Sequence, residues 1–208
     1  MKSELIKNNY KDLNINIDQE IINYRPYLYE KYYKVIVKDI INKFNIKNIQ
    51  SVPYIEKIYI SSAISYKLHN LELLYKIYNS LYLITGQRPI YTTSSKSVSQ
   101  FKIYKGSYIG TKVCLTNKNL ISEFLERLGH IYLPSIKNFN GIRESNLSDN
   151  VLNIGIKDVH IIPEINKYIG LSNFGLTITI CIKADKKLKQ KREIILYLLN
   201  SLDIPVYD

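Results

Sequence analysis

Histidines, cysteines and paired acids are the side chains through which this 208-residue chain could do chemistry, and their spacing forms no working arrangement. His69, His130 and His160 fall on separate predicted elements, none with a second histidine three to five residues away and none near a cysteine pair. That pattern argues against a metal site. Cys114 and Cys181 are far apart and each is flanked by apolar or β-branched residues, so they read as structural buried thiols rather than a disulfide framework. Glu123, Glu126 and Arg127 look like a carboxylate pair with a base. Yet Glu123 and Arg127 stand at i and i+4, the spacing of an ordinary ion pair on a helix surface. In Gly106-Ser107-Tyr108-Ile109-Gly110-Thr111-Lys112 the glycines are one residue too close for a phosphate loop, and the threonine precedes the lysine. Asn146-Leu147-Ser148 fits a glycosylation acceptor without a secretory signal ahead of it. No nucleophile has a base beside it, so the expectation is a protein that is not an enzyme and takes no cofactor.

Charge is the stronger feature. Lys and Arg number 29 against 18 Asp and Glu, a formal balance of +11. A polyanion is then the default partner, nucleic acid ahead of an anionic membrane surface, because each phosphate neutralised releases condensed counterions. Coding in AT-rich sequence gives the same excess of Ile, Asn, Lys and Tyr, here with 19 Tyr and no Trp, so charge alone carries modest weight. At 46% hydrophobic and 23% charged the chain can bury a core. Lys, Asn or Glu interrupts every apolar run, so no membrane span is expected. The first ten residues contain no arginine and no signal-peptide core, and Asp12, Asp18 and Glu20 disfavour an import signal. A protein acting in an organelle would then be organelle-made.

The elements that must position these residues follow from periodicity. Residues 1–24 are polar and Asn-rich, an extension that is loose or orders only against a partner, and residues 25–208 form a single domain. Pro26 opens a helix to Phe44, its face formed by Tyr29, Tyr32, Tyr33, Val35, Ile36, Ile40 and Ile41. Tyr54 to Ser61 reads as a strand. A second helix runs from about Leu68 to Leu83, burying Leu68, Leu71, Tyr75, Tyr78 and Leu81 or Tyr82, with Gly86 as its left-handed cap. A strand at Pro89 to Thr93 leads into a projecting Lys/Ser loop, and the chain returns through Ile109 to Leu115. Thr116 or Asn117 caps a helix over 120–132, and residues 137–150 read as a long mobile loop. Strands near Val151 to Ile156 and Leu176 to Ile182 follow, then a helix capped by Asp185 and running to about Leu202. The lysine-rich run Lys183 to Arg192 reads as a solvated helix face, with a phosphate contact as the alternative. The fold class is α+β: a mostly antiparallel sheet with helices packed on one face, the other face free to bind, and a projecting loop.

Several segments are similar to a known family. These are Asn48-Ile49-Gln50-Ser51-Val52-Pro53-Tyr54-Ile55-Glu56-Lys57-Ile58, Thr85-Gly86-Gln87-Arg88-Pro89, Lys96 to Gly106 and Ile109-Gly110-Thr111-Lys112-Val113. Glu123 to Leu128, Leu133 to Gly141, Ile162-Pro163-Glu164-Ile165 and Gly175 to Ile180 continue the series in family order from about residue 30 to 207. The chain resembles protein five of the large ribosomal subunit, the 5S rRNA-associated family, in its bacterial and organellar form. The resemblance implies a structural place in the central protuberance, with a sheet face on rRNA (23S-like, with 5S), a loop near the P-site tRNA, and neighbouring large-subunit proteins as partners. It further implies an intersubunit bridge to small-subunit head protein thirteen.

By position, the resemblance assigns rRNA binding to Asn48, Gln50, Lys57, Ser61, Gln87, Arg88 and Cys114. It assigns the tRNA side to Ser94, Ser95, Lys96, Ser97, Phe101, Lys102 and Lys105, with Phe101 expected to anchor the base of the loop ahead of the alternative, stacking on a nucleotide. Three polar positions of the family commonly bond 5S rRNA: an Asn in the first strand, a Gln after the glycine of the second helix, and a Thr after Lys-Val. Here they read Ser61, Gln87 and Cys114. Each shortened donor costs about 0.5–1.5 kcal/mol where RNA is bound. The expectation is a member in the mitochondrial matrix, with a plastid as the alternative location, whose 5S rRNA contact is altered or absent. An off-ribosome organellar RNA-binding protein is the competing reading.

Overall fold

The structure is a computed structural model and describes residues 25–64, 71–169, 174–185, 188 and 190–207. The expected N-terminal extension, the expected start of the second helix at Leu68, His69, and Lys186, Lys187 and Lys189 of the lysine-rich run lie outside the described residues.

Helix α1 consists of Tyr27–Lys31, a π-turn at Tyr32–Ile36 and Val37–Phe44. Its fully buried residues, Leu28, Ile36 and Ile40, are multiples of four apart. A four-residue step overshoots a full α-helical turn by about 40°, so such a stripe drifts off the core unless the helix is locally widened. The π-turn supplies that widening. It leaves Tyr33 and Val35, expected on the buried face, about half exposed. Helix α3 uses the same device: Lys118–Arg127 continues through a π-turn at Leu128–Tyr132, burying Phe124, Leu128 and Tyr132. Asn117 caps it as expected, its side chain accepting from the Asn119 N–H at 3.0 Å.

Strand β1 (Tyr54–Ala63) lies at the centre of a six-stranded sheet of order β2-β3-β1-β7-β6-β5. The others are β2 (Ile90–Thr93), β3 (Tyr108–Leu115), β5 (Leu147–Ser148), β6 (Val151–Ile156) and β7 (Leu176–Lys183), and every neighbouring pair is antiparallel. A short parallel pair, β4 (Ile142–Arg143) with β8 (Val206–Tyr207), closes the C-terminal side. Helices α1, α2 (Leu71–Thr85), α3 and α5 (Lys191–Ser201) bury their apolar stripes against one sheet face, where Ile58, Ile60, Val113, Leu115, Ile178 and Ile180 point inward. Helix α4 (Pro163–Ile169) packs beside α2. The expected α+β class holds.

Three expectations fail for physical reasons. In α2 the aliphatic residues Leu74, Ile77, Leu81 and Ile84 are buried, while Leu71, Tyr75 and Tyr82 face solvent. This helix is apolar on almost every side, and the tyrosines, with hydroxyls to satisfy, take the rim. The expected loop at 137–150 is instead tied down by β4 and β5, with Ile142 and Leu147 buried. Asp185 is not the cap of α5: that helix starts at Lys191 with Gln190 in the cap position, and the Asp185 carboxylate accepts from the Ser51 hydroxyl at 3.1 Å. The part of the lysine-rich run described before Gln190 is therefore strand end and loop rather than helix face.

Candidate nucleic-acid interface

A bulge in β1 decides what the sheet shows to solvent. Ile55 pairs with Ile182 and Lys57 with Cys181, so the register slips at Glu56. Without that extra residue Ile55 and Lys57 would share a face. With it, Ile55 packs against the core, and Lys57, Tyr59 and Ser61 point to the side that carries no helix among the described residues.

Register then builds that open face. Ser61 stands between Lys112 of β3 and Thr177 of β7, and Tyr59 between Cys114 and Thr179. Asn153 of β6 follows Thr179, whose hydroxyl donates to the Asn153 amide oxygen at 2.8 Å. Lys57 lies beside Cys181, with its ammonium 5.4 Å from the centre of the Tyr59 ring. The hydrogen bond to Tyr59 raises the Lys57 pKa, so this ammonium stays charged. Glu56, in the bulge, is the one carboxylate among the described strands. The surface is thus hydroxyls, an amide and two lysines, with a groove of about 600 Å³ at the end bounded by Ser61, Lys112, Gly155 and Thr177. Its components match what the phosphates and sugar edges of an RNA helix accept.

Strands β2 and β3 extend beyond the sheet as a finger. Its neck is fixed by the Ser94 N–H bonding to the Ser107 carbonyl and the Gly106 N–H to that of Ser94, both at 2.9 Å. Its tip is closed by the Val98–Ile103 bridge, with Lys102 left-handed at φ 50°. Lys96, Lys102 and Lys105 are exposed around it. Two hydroxyls expected to face phosphate serve the finger itself: that of Ser94 donates to the Lys96 carbonyl, and that of Ser97 accepts from the Lys105 N–H at 3.0 Å. Phe101 does not anchor the base of the loop; it lies in the tip, 50% exposed.

The residues assigned by resemblance therefore form three groups. Lys57, Ser61 and Cys114 share the open sheet face. Gln87 and Arg88 lead from the end of α2 into edge strand β2, after Gly86 at φ 65°. Asn48 and Gln50 sit in a turn ahead of β1, away from that face, where the Asn48 side chain accepts from the Gln50 N–H at 3.0 Å. Ser94, Ser95, Lys96, Ser97, Phe101, Lys102 and Lys105 are all in the finger.

Arg127 is more than a surface ion pair. Its guanidinium donates to the Ile84 carbonyl at 2.9 Å and to Glu164 at 3.4 Å, while Glu123 is only a 3.9 Å neighbour. Tyr132 donates to the same Glu164 carboxylate at 2.8 Å. Cys114 and Cys181 are half-buried, on the open face and not in the core.

Sequence reasoning missed Lys112 and Tyr59 on the sheet face. It missed too a tyrosine cluster at the root of the finger, where Tyr78 stacks on Tyr91 at 4.9 Å and Tyr91 meets Tyr108 at 5.6 Å. One signal could have located the whole region: residues 73–122 hold seven Lys and Arg and no Asp or Glu.

Comparison with known proteins places the chain among relatives. The family model described as ribosomal protein L5 matches residues 48–103, and that described as ribosomal L5P family C-terminus matches residues 108–205. Large ribosomal subunit protein uL5 of Karelsulcia muelleri (strain GWSS) is 35% identical over 185 residues, 88% of this chain and 96% of that protein. Its counterpart in Malacoplasma penetrans (strain HF-2) is 35% identical over 181 residues, 86% of this chain and 92% of the relative. That of Clostridium beijerinckii is 41% identical over 140 residues, 66% and 77% of the two chains.

Proposed function

Because this chain belongs to the ribosomal L5 family of the large subunit, we propose that it is placed in the central protuberance, its open sheet face on rRNA and its finger toward the P-site tRNA. The family is structural and non-enzymatic, with rRNA and large-subunit proteins as partners. What supports the finer reading is the contrast between the two sheet faces: one sealed by helices, the other acid-poor, uncovered by any described residue and continuous with a lysine-tipped hairpin. The mechanism is placement. Lys57 and Lys112 neutralise phosphate, Ser61, Thr177 and Thr179 bond the sugar-phosphate edge, and Lys96, Lys102 and Lys105 hold the finger to a second polyanion. The segment 137–150, with its turn at Ser148-Asp149-Asn150 and Asp149 left-handed at φ 49°, is the surface offered to small-subunit head protein thirteen.

The reading includes an organellar ribosome, mitochondrial before plastid, with the 5S rRNA contact weakened. The shortened donors Ser61 and Cys114 and the Ile, Asn, Lys and Tyr excess support it; the relatives named above are bacterial. Sucrose-gradient sedimentation of an organellar lysate tests it: the protein should travel with large subunits and stay there in moderate salt. A pool found entirely free of subunits, or subunits recovered from bacteria alone, would count against the respective halves of the proposal.

A further inference from the structure

A second concave surface, of about 590 Å³, opens where α1, the turn before β1, the start of α3 and the end of β7 meet. Tyr33, 47% exposed, and Tyr54 are among its walls, and Gln50, Lys118 and Lys183 line it. The Lys118 ammonium donates to the Tyr33 hydroxyl at 3.2 Å and lies 5.9 Å from the centre of that ring. The Lys183 ammonium lies 5.9 Å from the centre of the Tyr54 ring. Each of these two rings thus carries its own cation. Tyr33 is buttressed by Tyr29 and Tyr32, with ring centres 4.9 and 5.0 Å away. The groove's acid, Asp185, is bonded to the Ser51 hydroxyl. In the adjoining hollow Glu30 is paired with Lys34.

We propose that this groove holds one unpaired nucleotide of RNA, its base against Tyr33 or Tyr54 and its flanking phosphates on Lys118 and Lys183. An aromatic face accepts any base by stacking, and an ammonium beside it meets the phosphate that the base brings along. The Gln50 side chain carries both a donor and an acceptor for the base edge. The volume falls within the range of small-ligand sites. A peptide would use the rings but leave two ammonium groups without anions, which is why the charge favours a nucleotide. The site requires neither the open sheet face nor the finger; it rests on the ribosomal reading only in that RNA is the polyanion at hand.

Ultraviolet cross-linking of the full chain to a uridine decamer, with adducts mapped by mass spectrometry, tests the assignment. The expected result is an adduct on Tyr33 or Tyr54. Lys118→Gln combined with Lys183→Gln should cut its yield about five-fold or more, leaving finger adducts unchanged. Adducts confined to Phe101, Tyr104 or Tyr59, as also expected if the N-terminal 24 residues filled the groove, would overturn the site and leave the ribosomal reading intact. No adduct on any residue would overturn the site and count against RNA binding altogether.

Discussion

Arg127 ties three elements with one guanidinium: the α2 end through the Ile84 carbonyl, its own helix α3, and α4 through Glu164. Removing it leaves the Ile84 carbonyl without its donor and the half-buried Glu164 carboxylate with only the Tyr132 hydroxyl. Arg127→Met should therefore cost about 2–3 kcal/mol in urea denaturation, whereas Glu123→Gln should cost less than about 0.5 kcal/mol. Spacing alone announced the weaker partner, Glu123, because Glu164 is distant in sequence and close only once α4 docks. Gly110 has a similar logic. A Cβ there would come within 2.4 Å of the Ser62 carbonyl oxygen and 3.0 Å of the Ala63 Cα, so β1 and β3 would have to part. Gly110→Ala should lose about 1–3 kcal/mol, against a change within about 0.5 kcal/mol for Gly155→Ala, whose added methyl meets nothing. Tyr32 and Tyr132 add a pH dependence. Burial raises both phenols well above the ordinary 10.0, and at Tyr132 the bond to Glu164 adds to it. The fold holds the neutral phenol, so this stabilisation is complete below pH 10.0 and is lost as pH climbs from there toward the raised folded value. Denaturation midpoints on either side of that pH should show the alkaline loss, and Tyr132→Phe should reduce it.

Elements with one apolar period were legible in the sequence, and elements with two were not. Strands β1, β3, β6 and β7 alternate cleanly outside the bulge and fall within a few residues of where alternation places them. Helix α2 offers two stripes, and only packing shows that Leu74, Ile77 and Leu81 win over Leu71, Tyr75 and Tyr82. The π-turns of α1 and α3 were invisible because their cause is a tertiary demand, to keep residues four apart on one core. Strands β4 and β5 are two residues each, too short to show any period. The finger lies at the legible extreme: polar, small-residue and lysine-bearing, with its neck and tip fixed by its own backbone bonds. Changing its charges should leave the fold alone. Lys96→Gln, Lys102→Gln and Lys105→Gln together should keep the denaturation midpoint and make the plot of log affinity for an RNA duplex against log salt shallower by about two to three units. An unchanged slope would mean that the finger touches no phosphate.

The molecule as a whole is asymmetric in a way that composition does not convey. An excess of +11 could be spread evenly, yet the stretch from 73 to 122 carries seven cations and no acid, and the fold sends five of them, Arg88, Lys96, Lys102, Lys105 and Lys112, to the approach to the edge strand, the finger and the open face. Electrostatics therefore brings any RNA to this side at long range, and the sheet's short hydroxyls and amides decide what remains bound. On that face Ser61 lies between Lys112 and Thr177, and Cys114 lies opposite Tyr59, both with side chains toward solvent. Neither can reach as far or bond as well as the Asn and Thr expected there from the family pattern. If the 5S rRNA contact is weakened as proposed, and by those two positions alone, restoring them should restore it. Ser61→Asn with Cys114→Thr adds two hydrogen bonds of about 0.5–1.5 kcal/mol each, so affinity for a bacterial-type 5S rRNA should rise about five- to hundred-fold in filter binding. The substitutions are surface changes on a pre-formed wall, so stability should stay within about 0.5 kcal/mol of the original. No gain in a folded double variant would show that those two positions do not limit the contact.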